Sequence, residues 1–194
     1  MRAQAHTLEG IVAALLVLSS VVIALQVTAV TPLTASTASQ HIEMQERASA
    51  AGVLSAARSD DQIRPTLLYW NESGARFHGA GTNGYYTTGG PPTVFGDRLD
   101  EAFGDQGYAF NVVARYVRAD GNIRERRVVY MGRPSDSAAS SSATVTLYDS
   151  DRLRDATGNE TEETVATNPF FVDDIDEQSN VYAVVEVEVI VWRM

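Results

Sequence analysis

Between Gly10 and Ile42 the chain carries no Asp, Glu, Lys or Arg, and within that stretch Ile11 to Val30 is apolar except for Ser19, Ser20, Gln26 and Thr28. Twenty such residues, rising about 1.5 Å each, make a helix about 30 Å long, the thickness of a bilayer's hydrocarbon core. A helix packed inside a soluble domain keeps one polar face, and this run has none. The run therefore reads as a transmembrane helix over residues 10–31, behind a short leader-like segment, 1–9. A cleaved secretory signal is the competing reading, since Ala29 and the small residues of 34–39 suit a cleavage site; a signal's apolar core is shorter, about 7–15 residues. Arg2 precedes the run and no arginine follows until Arg47, so flanking charge is weak on both sides. The bulk of the chain lies C-terminal, which favours a single pass through the cell membrane with the N-terminus cytoplasmic and the rest extracellular. Membrane lipid is then an expected partner.

Pro32 lies just past the apolar run, where it removes one N–H and is expected to kink or end the helix. Residues 32–60 read as a stalk, helical from about 36 to 58. Its weak apolar stripe is Ile42, Ala48, Ala51, Val53 and Leu54. The helix is expected to stop before Asp60 and Asp61.

Beyond residue 61 the period changes from 3.6 to 2. Thr66–Trp70 is a short strand candidate, and Gly89-Gly90-Pro91-Pro92 is a firm break. Thr93 then suits the N-cap of a helix to about Phe103. Tyr108–Arg118 and Ile123–Met131 alternate across Ala119–Asn122, as a hairpin does. The Ser/Ala-rich residues 134–142 read as a linker, 143–148 as a strand, and 149–168 as an acidic loop. Asn180–Trp192 is the clearest strand, with Val181, Ala183, Val185, Val187, Val189 and Val191 on one face and Glu186 and Glu188 on the other. The fold class is α+β: a long N-terminal transmembrane and stalk helix, then a mainly antiparallel β-sheet domain, 61–194, with one wet face.

The formal charge is −10, which argues against nucleic acid as a partner. All 15 basic residues are arginine. An acidic surface with no lysine suits a high-salt environment, where screening tames carboxylate repulsion; an ordinary acidic protein is the plainer alternative. The chain has no cysteine, which excludes disulfides, thiolate metal sites and cysteine catalysis.

No nucleophile or phosphate-binding motif is present, and His6, His41 and His78 are far apart in the chain. Asp149 with Asp151, or Asp173, Asp174, Asp176 and Glu177, could offer oxygens to Ca²⁺, but neither run has the spacing of a calcium loop. Solvated acidic faces explain them more simply. The chain reads as a non-enzyme with no catalytic, cofactor-binding or metal residue. Asn71-Glu72-Ser73 and Asn159-Glu160-Thr161 are acceptor tripeptides for N-glycosylation, and both fall in expected loops. Tyr85 and Tyr86 are either adhesive contacts or a cover for the sheet.

The segment Arg2-Ala3-Gln4-Ala5-His6-Thr7-Leu8-Glu9, running straight into the apolar stretch, resembles the start of archaeal type IV prepilins, where Gln, Ser or Thr, and Glu precede a hydrophobic helix. Gln4, Thr7 and Glu9 match those residue types, although Gln4 and Glu9 are five apart rather than four. With Leu99–Val112, this segment makes the chain resemble a haloarchaeal family of pilin-like, single-span proteins. The resemblance implies processing or assembly roles for Gln4, Thr7 and Glu9, and assembly with other pilin-like subunits through the N-terminal helix. In such a filament Glu9 pairs with a neighbour's α-amine; otherwise it sits in the first helical turn, where the helix dipole favours an anion. The function expected is a membrane-anchored pilin-like structural or surface protein, such as a minor pilin or pseudopilin. A solitary cell-surface binding module that forms no filament is the alternative.

Overall fold

A computed structural model describes residues 2–193, with side chains for residues 9–25 and 40–193. The protein falls into two units, residues 1–42 and 43–194. One helix, α1 (Arg2–Ser59), replaces the two expected helices. Pro32 does not divide it: a proline forfeits one backbone hydrogen bond, and the turns on either side propagate the helix.

The expected transmembrane helix over 10–31 is corrected. Among the described residues, no helix is long and apolar enough to cross a membrane.

In the second unit, the face of α1 that packs is Glu46, Ala50, Leu54 and Ala57, at most 7% exposed and spaced by four, four and three. Ala48 and Ala51, expected on the stripe, are exposed. Alanine and serine surround this stretch on every side, so the periodicity is faint. The helix ends where expected. Asp61 takes a left-handed backbone (φ 51°), and the N–H of Gln62 returns to the carbonyl of Ala57 at 2.7 Å, closing the last turn.

A second short helix, α2 (Ile63–Leu67), stands where a strand was expected, and only Trp70–Asn71 (β1) extends, pairing with Arg76–Phe77 (β2). Pro65 lies in the first turn of α2, where its missing N–H has no partner to lose. The helix α3 (Val94–Ala102) starts as the sequence suggests, with Thr93 accepting from the Gly96 N–H at 3.3 Å. Thr93 Oγ1 also lies 2.7 Å from Thr66 Oγ1, tying α3 to α2.

The remaining strands are β3 (Tyr108–Val117), β4 (Ile123–Tyr130), β5 (Ala139–Tyr148), β6 (Arg152–Arg154), β7 (Glu160–Thr164) and β8 (Val181–Arg193). The main sheet has the order β4-β3-β8-β5 and is antiparallel throughout. Strand β8 is central because its alternating valines can fill a buried face: Ala183, Val185, Val187, Val189 and Val191 are all fully buried. They join Phe95, Leu99, Phe110, Val112 and Leu147 in one core with Ala50, Leu54 and Ala57 of α1. The opposite face carries Val184, Glu186 and Glu188 and is wet, with Arg115 ion-paired to Glu188 at 2.6 Å.

Parts of the two segments read as linker and loop are strands, and the strand expected at 143–148 is the second half of β5. The serines of 140–142 belong to β5 because each backbone pairs with β8, Ser140 opposite Ile190 and Ser142 opposite Glu188, which overrides weak local propensity. Strands β6 and β7 form a separate ribbon.

Candidate functional site

Ten large aliphatic side chains lie between Ile11 and Leu25, and each is 49% to 66% exposed. They point to every side of the helix: Ile11, Leu15, Leu18, Val22 and Leu25 on one stripe, Val12, Leu16 and Ile23 on another. Ser19 and Ser20 make no polar face, because their hydroxyls donate to the carbonyls of Leu15 and Val17, both at 2.8 Å. Fully burying one such aliphatic side chain gains about 1.5–3 kcal/mol. Covering this segment is therefore worth on the order of 10 kcal/mol, enough to drive association.

The three residues singled out by resemblance fare differently. Gln4 and Thr7 lie outside the described side chains. Glu9 is exposed, but α1 starts at Arg2 and its first turn holds no acidic residue.

Of the two glycan acceptors, Asn159 is exposed, with its Nδ2 donating to Thr157 Oγ1 at 2.9 Å in an exposed turn. Asn71 is half-buried in the β1–β2 hairpin, where its Oδ1 accepts from the Gly74 N–H at 3.1 Å. Tyr86 covers the sheet: it is 8% exposed, its hydroxyl donates to the carbonyl of His78, and burial pushes its phenol far above the usual range. Tyr85 packs edge-on against Tyr130 at 5.7 Å.

Most of the acidic side chains are engaged locally, while Asp149 Oδ1 is buried with no hydrogen-bond partner among the described residues. Asp173 holds Arg118 at 2.6 Å, Asp174 and Asp176 accept backbone N–H groups two residues on, and Asp151 accepts from the Tyr148 N–H. Among the described residues, no three His, Cys, Asp or Glu converge on a point that could hold a metal ion. A cleft of about 480 Å³ is lined by Asp60, Asp61, Tyr69, Asp97 and Arg154. Asp60 is engaged by Arg98 at 2.6 Å and the Tyr69 hydroxyl by the carbonyl of Ala156, so neither is poised for chemistry.

One constellation escaped the sequence. Glu46, on the buried stripe of α1, lies 3.6 Å from Arg193 at the end of β8, and Arg193 donates to the Tyr108 hydroxyl at 3.2 and 3.0 Å. Burial raises the pKa of Glu46, Arg193 opposes that, and Glu43 adds to it. The available signal was its position, four residues before Ala50 and eight before Leu54, a carboxylate on an apolar stripe.

No curated protein and no solved structure matches the chain. A family model does match, over residues 2–191, and the chain belongs to that family, a family of unknown function (DUF7288).

Proposed function

We propose that this protein is a pilin-like structural subunit whose copies associate through the apolar helical segment 11–25, with the β-rich domain outward at the cell surface. One observation carries the reading: the large aliphatic side chains of that segment are wet on all sides in a single chain. A second copy supplies the same apolar side chains, and packing helix on helix covers both at once. The helix-then-sheet order and the resemblance of residues 2–9 to prepilin starts support the same reading. Nothing in it requires the protein to be an enzyme.

The test is the size of the full-length chain extracted from its own cells in mild detergent, by sedimentation. Multimers are expected, and Leu16→Glu with Val22→Glu should reduce them to single copies while the sheet domain stays folded by circular dichroism. Glu9→Ala should weaken assembly. Single copies from the unaltered chain, as a solitary surface module would give, would overturn the reading.

A further inference from the structure

In a protein of net charge −10, strand β4 is a basic island. Its free part, Ile123–Arg127, carries Arg124, Arg126 and Arg127 against Glu125 alone. The other end of this sheet edge is capped, because the Tyr86 N–H donates to the carbonyl of Val128 and the Tyr130 N–H to that of Tyr86. Of the other arginines in the domain, Arg64, Arg98, Arg115, Arg118, Arg154 and Arg193 each have a carboxylate within 4 Å, whereas Arg47, Arg58, Arg76, Arg133 and Arg152 have none among the described residues. The β4 arginines have none among the described residues. They are nevertheless held in place. Arg126 lies 4.8 Å over the Trp70 ring and donates to the carbonyl of Ala75 at 2.6 Å, and Arg127 lies 4.4 Å over the Tyr130 ring. A cation on an aromatic face keeps its edge N–H groups available to an anion.

The complementary feature is β7. It carries Glu160, Glu162 and Glu163 with no basic residue, and it pairs only with β6. Glu162 and Glu163 are exposed and make no ion pair among the described residues, while Glu160 reaches Arg154 at 3.1 Å.

Charges on a free edge often serve only to block pairing. In an acidic molecule glutamate would do that alone, as it does on β7. Three arginines on β4 block β4 against β4, and three glutamates block β7 against β7, but β4 against β7 is attractive. A polyanion such as nucleic acid would meet the acidic remainder of the surface and be repelled. We infer that the free part of β4 receives β7 of a second copy of this chain, so that folded domains join through two different surfaces. Such a contact is heterologous, and its repetition gives a ring or an open series. It does not depend on the helical segment 11–25.

The chain has no cysteine, so introduced thiols are unique. Full-length Arg127→Cys, carrying a mass tag, is mixed in mild detergent with full-length Glu162→Cys and oxidised. The expected product is the tagged–untagged disulfide. Its yield should fall roughly tenfold or more when Arg124 and Arg126 are changed to Glu in the first partner. It should recover when Glu160 and Glu163 are changed to Arg in the second. Circular dichroism of each variant confirms that the sheet is intact. A mixed product indifferent to charge reversal, or disulfides only between identical copies, overturns the inference. Failure of helix-mediated assembly with this cross-link intact would leave the inference standing, so the two proposals are separable.

Discussion

Glu46 places a carboxylate on the side of α1 that carries Ala50, Leu54 and Ala57, and it is 7% exposed. Its pKa is raised chiefly by burial, with Arg193 opposing. A raised folded-state value means that its contribution to stability is complete below the ordinary glutamate range and lost as pH rises through the folded value. Glu46→Gln should therefore unfold at a higher temperature than the parent near neutral pH, with the gap closing as pH falls; a calorimetric series over pH checks this. Arg193 is 66% exposed, so losing its partner strands no buried charge. At Gly96 the constraint is space. A Cβ there would lie 1.8 Å from the carbonyl oxygen of Pro91, where the Gly89–Pro92 turn rests on α3. Gly96→Ala should cost about 1–3 kcal/mol or more in urea unfolding, because backbone must move. Asn159, exposed in its turn, is the glycan acceptor the geometry favours over Asn71. On an outward-facing domain, the intact mass of native protein should drop by one glycan in Asn159→Gln and stay unchanged in Asn71→Gln.

At the scale of elements, α3 and the C-terminal half of α1 bear the packing that fixes the domain. Leu54 is 1% exposed within the core, so Leu54→Ala should destabilise by about 2–5 kcal/mol. Thr93→Ala removes an N-cap and the hydroxyl contact to Thr66, a loss of about 1–2 kcal/mol. What the sequence made legible follows how strongly each element is specified locally. Strand β8, the β3–β4 hairpin and the Thr93 cap were readable because alternation, turn residues and a capping hydroxyl all agree. The β3–β4 turn closes with Gly121 at φ 78° and its N–H on the carbonyl of Arg118. Strand β5 was legible only over 143–148; its first part, 139–142, was hidden because an alanine and three serines become a strand only beside β8. The α2 helix was hidden because five residues around Pro65 show no usable period. Glu46 and Arg193 are 147 residues apart in the chain and meet only through the fold, so their pairing had no local signature.

At the scale of the molecule, the apolar helical segment and the folded sheet domain pose different problems. The domain satisfies its own core, while the aliphatic side chains of 11–25 stay wet unless something covers them. Among the described residues no helix is long and apolar enough to cross a membrane, and packing between copies is the cover proposed. The most direct measurement uses a single Leu18→Cys in the full-length chain, which otherwise has no thiol. In the protein isolated from its own cells, the account predicts that mild oxidation links copies in pairs, and that the thiol resists a water-soluble maleimide until denaturant is added. A chain that stays single on oxidation and reacts with the maleimide at once would contradict it.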